Sequence, residues 1–532
     1  MITRRCTMVG LLSLPDELLT NILDFGGHTT IVMCQQTCRR MNDLVNGSMA
    51  LQYAVSLAAA GLVDNIPMDV DLAERLNLLA EHESAWEDTP WFPIEGYDGV
   101  LGLAASSGNL LVFFRLWDDS VRFGRQLVFQ RLPSIHQGVP DFTSRMDPDF
   151  HVHEFSVDSS QDLLIYAHGS RLATREVGTN RPHPASSGGV LSLRKNEFPI
   201  ATTTRIYGEL AACLTTLIDD GSLRFRIFNW TTGQSITESG GNFSPLRYEF
   251  LDADHIFYSS SEALSNYPNL VVENIRSSCR TVLRLDFPDI VPGTNATCYL
   301  SIPQNSMPHT WANNRSAGYF CDDLSDRLIV LNVVSYGWGA YHSCRKQQQT
   351  LHISTNAILS YVRAHPSGGS VPWDAWGPGN VRVVPRRTVV HETVTGMHTL
   401  CGMRAVHDHI VKDRRSRPVI CVYDYHRGRV GRALFAQGNG ASSGAGMWTT
   451  MRRSLSTKYP EPPALAPYPV ATSYVLPGGE KEMSCLVKEI PIPKGLLVDN
   501  LMCVLCEHAV VLLELSDRRL GAPISGVFYH AI

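Results

Sequence analysis

From about Tyr97 to Ile532 the chain never sustains a helical period. Short apolar or alternating runs follow one another instead, among them GNLLVFFRLW (Gly108–Trp117), LRFRIFNWTTG (Leu223–Gly233), DRLIVLNVVSYG (Asp326–Gly337), PVICVYDYHRG (Pro418–Gly428) and EHAVVLLELS (Glu507–Ser516). Alternation places every second side chain on one face of a strand. The Gly, Pro, Asn, Asp and Ser residues between the runs mark turns. So many strands in series, with no helices between them, argue against a bundle and a doubly wound sheet. A large all-β region remains.

A weak repeat runs through this region. An apolar strand leaves through Asn-Trp-Thr-Thr-Gly in RIFNWTTGQ and through Asp-Tyr-His-Arg-Gly in VICVYDYHRGRV. A second string, Asp or Ser followed by Asp and an apolar run, opens strands in VDSSQDLLIYA, LDADHIFYSS and LSDRLIVL. Such strings at blade length are the mark of a propeller. The expectation is an irregular ring of about seven blades, with two stacked sandwiches as the alternative. Thr179–Gly189, Gly431–Gly446 and Pro460–Pro469, rich in Gly, Pro, Ser and Ala, read as mobile insertions.

Composition narrows the class. With 44% hydrophobic and 18% charged residues the chain is globular rather than disordered. A net charge of −5 argues against a nucleic-acid partner. No apolar run reaches the length of a membrane span, so no membrane association is expected. The N-terminal apolar stretch breaks at once into Pro15-Asp16-Glu17, unlike a secretory leader. Thirteen cysteines without framework spacing point to thiols in a reducing compartment, the cytoplasm or nucleus. The N-x-S/T triplets at Asn229, Asn295 and Asn314 are then chance matches.

The first ninety residues read differently. A helix begins near Pro15, with Ser13 or Asp16 as its cap and Asp16 and Glu17 at the positive end of its dipole. Leu18, Leu19, Ile22, Leu23 and Phe25 form a wide apolar stripe, and Gly26-Gly27 stops the helix. The pattern resumes after Thr29 and Thr30 with Ile31, Val32, Cys34, Cys38, Met41, Leu44 and Val45. Helices this short bury little area, and a unit of fewer than ~40 residues ordinarily needs a partner. Ser48–Asn65 reads as a further helix ended by Gly61. Asp69–Trp91 reads as another, capped by Asp69 or Asp71, with Leu72, Leu76, Leu79 and Trp86 near one face.

The string L-P-D-E-L-L-x-x-I-L-x-F, followed by C-Q-Q-T-C-R-R-M-N-D-L-V, resembles an F-box. The segment after it is similar to that of fungal F-box proteins with a β-rich C-terminal region. The resemblance implies an all-α three-helix module at 11–48, a helical arm at 49–92 and a propeller-like domain at 97–532, α+β overall. It implies binding to a Skp-type adaptor and, through it, a cullin–RING ubiquitin ligase. The adaptor contacts it implies are Leu14, Pro15, Leu18, Ile22, Leu23, Phe25, Val32, Cys38 and Met41. Where many members carry Leu-Asp, Val and Trp, this chain has Gly26-Gly27, Thr37 and Met41.

Chemistry-bearing patterns elsewhere have plainer readings. Gly440–Gly444 matches G-x-S-x-G but lies in low-complexity sequence without the strand–turn–helix context of a nucleophile elbow. Cys503 and Cys506 have metal-type spacing but no second pair. The pairs His151/His153 and His407/His409 lack a third ligand fixed by spacing. No catalytic residue, metal or cofactor is expected. For recognition of a protein substrate, the basic run holding Lys412, Arg414, Arg415 and Arg417 suits an acidic or phosphorylated segment. Trp373 and Trp376 are either anchors on a binding face or packing between blades. The expected function is a substrate-recognition adaptor rather than an enzyme. The alternatives are a propeller hydrolase or lyase with a helical cap, and an F-box protein acting outside the ligase.

Overall fold

The computed structural model describes residues 11–67, 69–88, 91–94, 100–116, 125–132, 142–146, 155–168, 170–193, 197–199, 204–217, 219, 221, 223–240, 248–260, 269–276, 280–286, 297–301, 319–322, 326–338, 344–385, 400–406, 411–412, 418–426, 429–430, 449–451, 485–493, 496, 501–506, 509–515 and 524–531. Four helices come first: α1 (Asp16–Gln35), α2 (Arg39–Gly47), α3 (Met49–Ala60) and α4 (Leu72–Asp88). Helix α1 is two helices joined at Gly27, whose φ of 73° breaks the helical backbone. That left-handed conformation strains any residue with a Cβ. Pro15 stands at the N-cap with no side-chain cap. Asp16, a candidate cap, instead pairs with Arg40 at 2.6 Å. Thr30 donates its hydroxyl back to the Gly26 carbonyl, at 2.7 Å, and does not cap the second half. Asp71, one of the two candidate caps of α4, accepts from Glu74 N–H, and Ser48 caps α3 by accepting from Leu51 N–H. Gly61 closes α3 in the left-handed conformation.

The rest is a propeller. Seven antiparallel-based sheets of four to six strands follow in chain order. Each packs on the next through an apolar layer, except the fifth on the sixth. Leu110, Val112, Leu127 and Phe129 of the first sheet meet Val157, Leu164 and Tyr166 of the second. Ile165 and Leu172 of the second meet Ala211 and Phe228 of the third. Similar layers join the third to the fourth, the fourth to the fifth and the sixth to the seventh. The fifth and sixth meet where His352 Nδ1 and the Tyr425 hydroxyl lie 2.8 Å apart. The ring closes twice over. Leu111 and Phe113 pack on Val511 and Leu513 of the seventh sheet. Trp91–Ile94, from the start of the chain, pairs with Ile524–Ala531 from its end. Radial repetition of this kind leaves only short, protected strand edges.

Among the described residues two helices interrupt the β pattern. Helix α5 (Thr355–Ala364) is N-capped by Ser354, and α6 is the single turn Trp373–Trp376. The insertion at Thr179–Gly189 is tied down, against the expectation of a mobile loop. His183 Nε2 lies 2.9 Å from Gln161 O, its ring meets Trp230 edge-on, and Ser187 N–H donates to Thr231 O. The other two expected insertions lie outside the described residues.

The helical arm is fixed to the ring. Leu62–Asp64 pairs antiparallel with Phe320–Asp322. Leu62, Leu79 and Phe320 share one buried cluster. Asp64 holds Arg75 at 2.6 Å, both largely buried. Burial, then the Asp64 carboxylate, pushes the neighbouring Tyr53 phenol far above its ordinary pKa.

Two outcomes follow from this packing. Truncation after Leu515 removes the strand that holds both chain ends together, and circular dichroism and protease digestion of the truncated chain should show a ring that no longer folds cooperatively. The second concerns Asp424, which is fully buried. Burial alone would raise its pKa, but Arg429 and Arg404, with the His426 N–H, outweigh that and hold it below the ordinary value. A depressed folded pKa contributes stability present above the unfolded carboxylate value and lost as pH falls through the depressed one. Asp424→Asn leaves two buried arginines without their counter-charge, so it should destabilise the chain by about 3–5 kcal/mol at neutral pH. Denaturant titration should show that difference narrowing on acidification.

Candidate functional site: an exposed apolar face on the N-terminal helices

The N-terminal helices hold a small core. Leu19, Leu23, Ile31, Met41, Val45 and Leu51 are buried together. Leu14, Cys34 and Cys38 pack against that cluster from partly buried positions. Facing away from it, α1 turns a second apolar row outward. Leu18 is 50% exposed, Ile22 46% and Phe25 97%. Spacings of four and three residues stack these side chains on one helix face, with exposed Pro15 at its N-terminal end.

Eight large apolar side chains are exposed among the described residues, and seven belong to this module: Leu11, Leu12, Leu18, Ile22, Phe25, Met33 and Met49. Scattered apolar exposure is ordinary, but concentration on one small unit marks an interaction surface. A groove of about 870 Å³ runs beside it, lined by residues including Thr20 and Asn21 of α1 and Arg39, Arg40 and Asp43 of α2. Arg40 also reaches the Leu14 carbonyl at 2.9 Å, which pins the N-terminal segment to α2.

The sequence-derived contact set therefore divides. Pro15, Leu18, Ile22 and Phe25 form the exposed row, Leu14 and Cys38 are half-buried beside the core, and Val32 is half-buried. Leu23 and Met41, each 2% exposed, point inward and offer no surface to a partner. Their role is to hold the face in shape. Leu11, Leu12, Met33 and Met49 extend the exposed apolar surface, and sequence reasoning missed them. Their signal is apolar character at positions outside the core-facing register.

The family model for F-box-like domains matches residues 11–55. Residues 11–55 are an F-box-like domain. No curated protein matches the chain in sequence. Among solved structures, an oligogalacturonate lyase from Vibrio parahaemolyticus is similar at 11% identity and TM-score 0.35, over 64% of this chain and 79% of that one. Hydrazine synthase from Kuenenia stuttgartiensis is similar at 11% identity and TM-score 0.25, over 55% and 97%. BamB from Moraxella catarrhalis is similar at 10% identity and TM-score 0.21, over 50% and 96%. Likeness at this level carries nothing about activity.

The remaining candidates fall as follows. Trp373 and Trp376 are buried in the core between the fourth and fifth sheets, and Trp376 Nε1 donates to Asp286 O at 2.8 Å. Their rings fill the frame and leave no anchor on a binding face. The pair Cys503/Cys506 lies on one strand at odd spacing, so the thiols face opposite ways. Cys503 packs against the sixth sheet and Cys506 towards the first, and the two cannot share a metal. Among the described residues no group of His, Cys, Asp or Glu side chains could hold a metal ion. No described helix is long and apolar enough to cross a membrane. Lys412 ends a short strand, while Arg414, Arg415, Arg417, Gly440–Gly444 and the two His-x-His pairs lie outside the described residues.

The inward and outward rows should separate in a stability assay. Leu23→Ala should cost about 2–5 kcal/mol in chemical denaturation of the F-box-like domain. Phe25→Ser, nearly all in solvent, should change it by less than about 0.5 kcal/mol.

Proposed function

We propose that the chain is a substrate receptor: its F-box-like domain docks a Skp-type adaptor of a cullin–RING ubiquitin ligase, and its ring presents a protein for modification. The observation that carries the reading is the outward row Leu18, Ile22 and Phe25 on a domain of this family. The fixed arm supports it, because a receptor must hold its cargo at a set distance from the enzyme that modifies it. The ring acts as a binding platform and performs no turnover of its own, in the cytoplasm or nucleus. Loops from many blades on a rigid frame are suited to recognition. The run with Lys412, Arg414, Arg415 and Arg417 places four cations within six positions, a charge density that favours an acidic or phosphorylated segment.

Two substitutions test the adaptor reading. Leu18→Asp with Ile22→Asp puts two charges into the centre of the docking face. Capture of a purified Skp-type adaptor should fall by at least about 100-fold, the scale of losing interface hot spots, with the ring still folded. Capture unchanged by this pair would sink the reading and make the module a cap.

A further inference from the structure

The chain holds 39 arginines and only seven lysines. In ordinary soluble domains lysine is among the commonest residues, and on the order of 25 would be unremarkable at this length. Their placement is uneven as well. Residues 1–194 contain none, and five of the seven, Lys412, Lys458, Lys481, Lys488 and Lys494, fall within one C-terminal stretch. The lysine-free part includes the whole F-box-like domain, helices α3 and α4 and the first two sheets.

The fold accounts for only some of the arginines. Arg226 grips Glu197 at 2.6 Å, Arg327 reaches Glu249 and the Phe250 carbonyl, and Arg404 and Arg429 flank Asp424, all in buried settings. There the planar fork does what an ammonium cannot. Arg40 and Arg75 use it too, each reaching two backbone carbonyls and an aspartate. At two exposed positions it is not needed. The Arg39 side chain is 95% exposed with Asp43 at 3.9 Å, and Arg276 is 58% exposed with Asp254 at 3.0 Å. An exposed pair contributes at most about 1 kcal/mol, and lysine serves equally well.

We propose that this chain is built to be a poor acceptor of the ubiquitin transfer it directs, with any lysine self-modification confined to the seven lysines after residue 194. The inference rests on the receptor reading above. In the transfer, a deprotonated lysine Nζ attacks the carbonyl carbon of a ubiquitin thioester carried by a conjugating enzyme. A C–N amide bond forms, the C–S bond breaks, and the sulfur leaves as thiolate. It takes up the proton shed by the nitrogen, and nothing is oxidised or reduced. A guanidinium does not give up its proton at neutral pH and is no nucleophile. Arginine therefore keeps the surface charge while removing the acceptor.

The position of the lysine-free surface fits this role. It includes the docking face and the arm clamped to the ring at Leu62–Asp64, the part held nearest the ligase. Lys346, opposite Tyr336, and Lys412, opposite Pro418, sit at strand ends away from Ser354 and Asp424, while Lys488 lies opposite Val422, two residues from Asp424. The arm contacts made by His426 and Arg429 fall just after Asp424.

The test uses the full chain assembled with a Skp-type adaptor, a cullin–RING ligase and ubiquitin-loaded conjugating enzyme. Asn77→Lys with Ala80→Lys adds acceptors at two exposed positions of α4, and Asn77→Arg with Ala80→Arg controls for charge and folding. Mass spectrometry should find ubiquitin at the two introduced positions. Self-labelling should exceed that of the native chain at least about fivefold, by proximity alone. The arginine control should match the native chain. Equal labelling of all three with adaptor capture intact would overturn the proposal and leave the arginine excess as composition. Absence of adaptor capture in all three would overturn the receptor reading first, and this inference with it.

Discussion

Asp424 is the point on which arm and ring both depend. It ends a core strand of the sixth sheet with its carboxylate fully buried, and it accepts the His426 N–H at 2.8 Å and Arg429 at 3.0 Å. Those bonds shape the turn that follows. The turn places the His426 ring directly against Gly61, where a Cβ would come within 2.4 Å of the imidazole. It also brings Arg429 to 3.9 Å from Glu83 of α4. A glycine at the end of α3 is thus needed twice, once for its left-handed backbone and once for the space beside it. One buried carboxylate and one missing side chain thus join the strand pair of Leu62–Asp64 with Phe320–Asp322 in seating the arm on the ring.

The same device recurs around the ring. Asn229, Asp252, Asn274 and Asp424 each accept backbone N–H groups two or three residues on, at the end of a strand. Asp158 does so with Ser160. The turn requires only a short side chain with an acceptor oxygen, so Asn and Asp interchange. At two of these five positions the residue after it is a buried aromatic with a polar edge. Trp230, whose Nε1 donates to Gly208 O, and Tyr425, which meets His352, fill equivalent places. This is why the repeat is physically strict yet faint as sequence. In sequence it shows in the two strings where an aromatic follows the Asn or Asp, and again in VDSSQD and LDAD, which hold Asp158 and Asp252.

Other features were out of reach of pattern alone. The helical stripe of α1 is wide enough to cover both a core face and a binding face, so apolar character could not separate Leu18 from Leu19 or Ile22 from Leu23. Only the packing of α2 and α3 on α1 decides which row is covered. Leu11, Leu12, Met33 and Met49 lie off the helical register of the core and gave no periodic signal. The tryptophans of α6 read equally as anchors and as packing, because burial depends on the fourth sheet, some ninety residues earlier in the chain (Asp286 accepts from Trp376). The pairing of Leu62–Asp64 with Phe320–Asp322 joins two three-residue strands, each too short to show alternation.

Helix α3 explains how so small a domain keeps an uncovered apolar face. Leu51, near its start, is buried with the core of the F-box-like domain. Tyr53 and Ala60, further on, belong to the cluster built on Leu62, Leu79 and Phe320. One helix therefore completes two cores, and the domain draws stability from the ring through it. A unit of this size standing alone would have to turn every apolar stripe inward to bury enough area. Because α3 is anchored at its far end by the paired strands and the glycine beneath His426, α1 needs only its Leu19–Leu23 row for folding. The Leu18–Ile22–Phe25 row is then left over. Its exposure costs the free chain little in stability, and it is the apolar area available to drive association.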